Sequence, residues 1–132
     1  MSLSKFSFYV LFLLIFGLSI NKIFAQDPLY FCEKYTNKEI GVSNRFTTGN
    51  LTVMVKLEQP LEQDNVIIEL DKLNCTTGKF EYFDSRTFIT DPKWTYIHFD
   101  KINFGSPGIY RVFLLDPDYN TLVSGLIEIV RR

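Results

Sequence analysis

The chain has 132 residues, of which 46% are hydrophobic and 22% are charged, and its formal net charge is −1 at pH 7. This length fits one domain large enough to bury a core. Its 14 basic and 15 acidic residues are interspersed, which argues against a nucleic-acid partner because phosphate backbones are bound by clustered Lys and Arg.

Residues 1–25 have the pattern of a secretory signal peptide. Lys5 supplies a positive charge, residues 6–20 are apolar, and Ala25 is the small residue expected before a cleavage site. The apolar run is shorter than a membrane span requires. The sequence therefore predicts a secreted or periplasmic protein without stable membrane insertion, with a single domain at residues 26–132.

Most of that domain alternates between apolar and polar residues, a pattern typical of half-buried β-strands. Val66, Ile68 and Leu70 are one such set, predicted to face inward. Residues 36–48 show no assignable pattern and are predicted to form a surface loop. The whole pattern predicts an all-β, antiparallel sandwich of seven to eight strands. The predicted strands cover residues 29–35, 51–57, 66–71, 79–84, 86–90, 94–100, 110–116 and 122–130.

One segment adds a resemblance to this strand pattern. Residues 106–112 contain Gly108-Ile109-Tyr110 ahead of an apolar strand, and this resembles the corner of immunoglobulin-like sandwiches. The resemblance implies an immunoglobulin-like β-sandwich in which the Tyr110 hydroxyl bonds back to the backbone as a structural corner. Val112 stands where antibody domains have a strand cysteine. The resemblance thus concerns the fold and this corner, and it implies no function.

The predicted domain contains two cysteines, Cys32 and Cys75. An exported protein meets an oxidising compartment, where an even number of cysteines usually pairs. We therefore expect a Cys32–Cys75 disulfide, with two unpaired thiols as the alternative. Two thiols and the distant His98 do not have the clustered spacing of a zinc site, so we expect no metal and no cofactor.

The sequence also argues against an enzyme. His98 is the only histidine, and no serine lies in the glycine-flanked turn that positions a hydrolase nucleophile. Paired carboxylates could serve a glycosidase, but the acidic residues on neighbouring predicted strands also fit a solvated sheet face. These residues are Glu69, Asp71, Glu81, Asp84 and Asp100.

Aromatic residues give the best candidate for a binding site. If Ile97 and Phe99 point inward, Trp94, Tyr96 and His98 line the outer face of their strand. Such a stripe can anchor a protein partner or stack on sugar rings. The alternative is that this face is buried in the core or covered by a loop.

Two functions follow from these observations. The first is a non-catalytic binding domain that contacts another exported protein, through the aromatic stripe or through residues 36–48. This function calls for a wide apolar patch to which Met54, Ile67 or Phe113 contributes. The second is a carbohydrate-binding module, which requires coplanar exposed rings at Trp94 and Tyr96. Sequons at Asn50 and Asn74 would carry glycans only in a host that uses them.

Overall fold

A computed structural model describes residues 27–132, so the predicted signal peptide at residues 1–25 lies outside the described residues. The described chain is all-β, and no helix in this range is suited to cross a membrane. It forms ten strands, more than the seven to eight that the sequence predicts. They are β1 (Leu29–Cys32), β2 (Lys34–Tyr35), β3 (Glu39–Ile40), β4 (Arg45–Thr47), β5 (Gly49–Lys56), β6 (Asn65–Asn74), β7 (Lys79–Ile89), β8 (Tyr96–Phe104), β9 (Gly108–Leu115) and β10 (Thr121–Val130).

The strands form three sheets. One has the order β1-β5-β8, the second β4-β10-β9-β6-β7, and the third is the small hairpin β2-β3. All pairings are antiparallel except that of β4 with β10, which is parallel. The predicted antiparallel pairing therefore describes most of the fold. The exception is β4, a three-residue strand within the predicted loop, which joins the edge of the five-stranded sheet in parallel.

The two larger sheets share one hydrophobic core, as in a β-sandwich. Val66, Ile68 and Leu70 are buried in it, which confirms the inward face predicted for β6. The fully buried rings of Phe31 and Phe104 meet edge to face, with centroids 6.5 Å apart. Each large apolar side chain buried in this way contributes roughly 1.5–3 kcal/mol to the driving force for folding.

Residues 36–48 are more ordered than the predicted surface loop. They contain β3 and β4, and the β2-β3 hairpin lies over the outer face of the three-stranded sheet. Tyr35 and Glu39 of this hairpin contact Tyr96 on β8. The hairpin escapes sequence-based prediction because its strands are two residues each, and contacts with the sheet below hold it in place.

Strand β8 differs from its predicted form at both ends. It begins at Tyr96, so Trp94 lies before it. Ile97 and Phe99 are buried, but the next inward residues are Ile102 and Phe104. The change of parity is a β-bulge, at which Lys101 has a φ of +57° and the register with β5 shifts.

Tyr110 lies near the start of β9 and is fully buried. Its hydroxyl donates a hydrogen bond to the Ser106 carbonyl oxygen at 2.6 Å, and Lys72 Nζ donates to Ser106 Oγ at 2.7 Å. Gly108, which lies between Ser106 and Tyr110 in the sequence, has a φ of +152°, and a Cβ there would lie 2.7 Å from Lys72 Cε. The tyrosine hydroxyl therefore ties the chain reversal before β9 to the buried side of the sheet.

The predicted Cys32–Cys75 disulfide is wrong, since both cysteines are free. Cys32 ends β1 and is buried, with its thiol 3.4 Å from the Lys34 carbonyl oxygen under the β2-β3 hairpin. Cys75 is exposed in the turn between β6 and β7. Cys32 lies on the three-stranded sheet, whereas Cys75 lies in a turn of the five-stranded sheet, and an even cysteine count gives no information about that separation.

Candidate functional site

The predicted aromatic stripe is exposed. Trp94 is 45% exposed and Tyr96 is 42% exposed, and the His98 side chain is similarly open. Ile97 and Phe99 alternate with Tyr96 and His98 along β8 and face the core. Tyr96 and His98 therefore lie on the outer side of β8, and Trp94 continues that side on the connection that precedes the strand.

A recess of about 400 Å³ lies between β7 and β8, beside this stripe. Phe88 and Phe99 are its most deeply placed rings, with centroids 4.9 Å apart. Ile89 also lines it and is 90% exposed. The recess is therefore apolar at its base and open at its rim, and the remaining lining residues are Tyr35, Trp94, Tyr96, Ile97 and His98.

The β2-β3 hairpin forms one side of the site through ring contacts. Tyr35 stacks on His98, with ring centroids 4.4 Å apart and planes 27° apart. The same ring meets Tyr96 edge to face, at 6.0 Å and 72°. The hairpin therefore covers part of the outer face of the sheet, and it leaves the side of β8 that borders the recess open.

Glu39 fixes the hairpin to the sheet. Tyr96 Oη donates a hydrogen bond to Glu39 Oε1 at 2.6 Å, and Tyr30 Oη donates to the same oxygen. The hydrogen bond to the carboxylate raises the pKa of Tyr96 to about 12, and burial, followed by the bond to Glu39, raises the pKa of Tyr30. Both phenols therefore stay protonated, and keep donating, across the physiological range.

His98 is held by a carboxylate. Its Nδ1 lies 3.1 Å from Asp100 Oδ2, and Thr52 Oγ1 donates to Asp100 Oδ1 at 3.2 Å. Burial raises the pKa of the neighbouring Cys32 thiol, which disfavours its reactive thiolate form. Within residues 27–132, no group of three His, Cys, Asp or Glu side chains is arranged to hold a metal ion.

The predicted carboxylate candidates do not converge on one site. Asp100 lies on the three-stranded sheet, whereas Glu69, Asp71, Glu81 and Asp84 lie on the five-stranded sheet. Burial raises the pKa of Glu69, with further contributions from Asp71. In the part of the chain that the structure describes, Asp71 Oδ1 is the buried side-chain oxygen without a hydrogen-bond partner.

The remaining acidic residues on β7 have local structural contacts. Glu81 accepts a hydrogen bond from Asn74 Nδ2 at 3.1 Å, and Asp84 accepts one from the Ser85 backbone nitrogen at 2.9 Å. These bonds fasten the turn and the irregular part of β7. They do not place an acid and a base on opposite sides of a substrate.

The apolar patch differs from the one that the sequence suggests. Met54 is fully buried and Ile67 nearly so, so neither adds contact area beside the stripe. Ile89 and Phe88 take that role, together with Tyr35. Sequence reasoning misses them because the recess forms only when β7 and β8, which belong to different sheets, are brought together.

No protein-family model and no curated protein matches the chain. The part played by Trp94, Tyr96 and His98 must therefore be inferred from their surroundings.

Proposed function

We propose that the protein is a non-catalytic binding domain that contacts another exported protein through the recess between β7 and β8. The observation that carries this proposal is the exposure of Trp94, Tyr96 and Ile89 around one apolar recess. Clustered, exposed apolar side chains mark contact sites on soluble domains, and aromatic residues in pockets supply a large share of binding energy at interfaces.

The same proposal includes an immunoglobulin-like fold. Strands β1, β5 and β8 have the order of strands A, B and E of such domains, and β10, β9, β6 and β7 have the order of G, F, C and C′. The buried bond from Tyr110 to the Ser106 carbonyl fits the tyrosine corner near the start of strand F. A constant-type domain would have strand D beside E, whereas residues 90–95 connect β7 to β8 here without a strand.

Export is the third element of the proposal. The charged, apolar and small-residue pattern of residues 1–25 supports a cleaved signal peptide. The protein would then function outside the cytoplasm, secreted or periplasmic, as one domain at residues 26–132. Its partner would be found in the same compartment, which defines where a search for it should begin.

The direct test starts with capture of partners from the exporting cell and their identification by mass spectrometry. The affinity of the captured protein is then measured for wild type and for the double variant Trp94→Ala, Tyr96→Ala. We expect a loss of about 2 kcal/mol or more, roughly thirtyfold in Kd, because truncated aromatic anchors commonly cost this much. His98→Gln should change the affinity little.

Tyr119→Ala is the matched control for this experiment. Tyr119 is 69% exposed in the turn between β9 and β10, so this variant removes an equally accessible ring away from the recess. Normal binding by a folded double variant would contradict the proposal. Equal losses in the double variant and in Tyr119→Ala would contradict it as well.

A carbohydrate-binding module is the second candidate. In its favour, exposed Trp94 and Tyr96 lie near the hydrogen-bonding carboxylates of Glu39 and Asp100. The neighbouring Tyr35 does not extend a stacking platform, since the planes of Tyr35 and Tyr96 are 72° apart and the Tyr35 ring is stacked on His98. Titration with soluble polysaccharides, with Trp94→Ala as the control, separates this candidate from a protein partner.

A further inference from the structure

We propose that the partner binds as an added β-strand: an extended segment of the exported partner protein pairs with the free edge of β8 and places apolar side chains in the recess. This inference rests on the proposed function and specifies the chemistry of the partner. It requires a backbone edge, a matching pocket, and a reason for the choice of β8 over β7.

The backbone edge exists because β8 is the last strand of its sheet. β8 is paired with β5, and no other strand within residues 27–132 pairs with it. Every second N–H and C=O along such an edge points away from the sheet. A peptide strand offers donors and acceptors at the same repeat, whereas a glycan or a lipid does not. The edge therefore favours a peptide segment as its occupant.

The free edge is short. Arg86 Nη1 donates to the Lys101 carbonyl oxygen at 3.3 Å and lies 3.5 Å from the Asp100 carbonyl oxygen. Lys101 also forms the bulge in β8. The Arg86 contact and the bulge prevent pairing along the second half of β8, from Asp100 onward, so the segment open to pairing is residues 96–99. This is the segment that borders the recess.

The recess matches the side chains of an added strand. Side chains alternate along a strand, so one set would enter the recess towards Phe88 and Phe99 and the other would lie over Tyr96 and His98. A volume of about 400 Å³ lies within the usual range for ligand pockets. The apolar lining thus calls for large apolar residues at alternate positions of the partner segment.

The edge of β7 is less suited to the same role. Its pairing with β6 is interrupted by a register shift between Leu70 and Asp71, and it carries Asp84 and Arg86 in its central part. Bulges and charged side chains are common means of blocking a free edge. β8 has a regular segment at residues 96–99 that contains no Asp, Glu, Lys or Arg, and it is therefore the edge that accepts a strand.

The test uses nonapeptides displayed as a library with apolar residues at alternate positions. The library is selected on the wild-type protein and counter-selected on Ile89→Lys, which places a charge at the rim without disturbing the core. Leu126→Lys is the matched control, because Leu126 is 51% exposed on β10. We expect an enriched peptide that binds Leu126→Lys normally and Ile89→Lys at least about tenfold more weakly.

The enriched peptide is then synthesised with either of its two alternate sets of backbone amides N-methylated. Only one set faces β8 in an added strand, so methylation of that set should weaken binding by about tenfold or more, and methylation of the other set should be tolerated. Hydrogen exchange should also slow in the complex at every second amide of residues 96–99, namely those that point away from β5.

Several results would overturn the inference. Equal tolerance of both methylated peptides would mean that side chains dock without strand pairing. Failure to enrich any peptide would mean that the edge does not accept a peptide strand. Self-association of the protein that is lost in Ile89→Lys would mean that the occupant is a second copy of this chain. In each of these cases the proposed function stands if the captured partner still depends on Trp94 and Tyr96, and it fails if that dependence is absent too.

Discussion

Removal of one buried hydroxyl, that of Tyr110, tests how much a single hydrogen bond contributes to the stability of the fold. Tyr110→Phe keeps the ring, whose centroid lies 5.2 Å from that of Phe83 and 5.3 Å from that of Phe104. It removes the 2.6 Å hydrogen bond to the Ser106 carbonyl oxygen. The ring packing is therefore preserved, and the measured change reports the hydroxyl and the acceptor that it leaves behind.

The expected cost follows from burial. Tyr110 is fully buried and its bond to the Ser106 carbonyl oxygen is partly buried, so the variant removes the partner of an acceptor that is only partly open to water. A buried acceptor left unsatisfied costs about 1–3 kcal/mol, and the 3.0 Å contact between Ser106 Oγ and Tyr110 Oη is lost as well. We expect a loss of about 1–2 kcal/mol, which in a domain of this size lowers Tm by roughly 4–8 °C.

Chemical denaturation of wild type and variant measures this loss directly. Tyr119→Phe is the control, since Tyr119 is exposed in a turn and its hydroxyl should contribute less than about 0.5 kcal/mol. Ser106→Ala keeps the backbone acceptor and should cost less than Tyr110→Phe. A denaturation midpoint for Tyr110→Phe equal to that of wild type would refute the reasoning.

Three further predictions concern single side chains. Cys75 should react with a thiol reagent in the native protein and Cys32 only after unfolding, with an intact mass that shows no loss of two hydrogens; a mass two hydrogens lower would contradict the free thiols. Glu39→Gln removes the charged acceptor that raises the pKa of Tyr96 to about 12, so ultraviolet titration should show that phenol ionising at lower pH, nearer 10, and an unchanged curve would contradict the bond between Tyr96 and Glu39. Because the pKa of Glu69 is raised in the folded state, wild type loses stability as pH rises from the unfolded pKa through the folded one. Glu69→Gln should therefore be more stable than wild type at pH 7, by up to about 1 kcal/mol, and this advantage should vanish below about pH 4; an equal difference at both pH values would contradict the prediction.

The sequence is most informative where alternation reports burial. Val66, Ile68 and Leu70 face the core as predicted, because a strand with one buried face must repeat every two residues. The same argument gives the inward position of Ile97 and Phe99 on β8. Such local patterns identify strands and their faces, but they do not specify which strands become neighbours.

The features that the sequence does not reveal depend on contacts between distant segments. β4 joins β10 in parallel through only three residues. The β2-β3 hairpin is held by Tyr35 and Glu39 against β8. The bulge in β8 occurs at Lys101, and not at a glycine, which would have indicated a positive φ in the sequence. Each of these follows from how the sheets assemble, which alternation along a single strand does not encode.

The sequence likewise reveals some residues of the candidate site and not others. Trp94, Tyr96 and His98 stand out from the sequence because a solitary Trp precedes an alternating aromatic strand. Ile89 does not, since one apolar residue at the end of a strand is ordinary until β8 is placed beside it. The disulfide prediction fails for the same reason, because a cysteine count contains no information about distance.

Photochemical crosslinking in the cell that produces the protein tests the central claim most directly. A photoreactive amino acid is placed at position 89, which is 90% exposed at the rim of the recess, or at position 126, which is 51% exposed on β10. Our account predicts that position 89 crosslinks an exported protein, that position 126 does not, and that Trp94→Ala with Tyr96→Ala abolishes the product. A crosslink to the same protein from position 126 alone, or a product from position 89 that persists in the double variant, would contradict it.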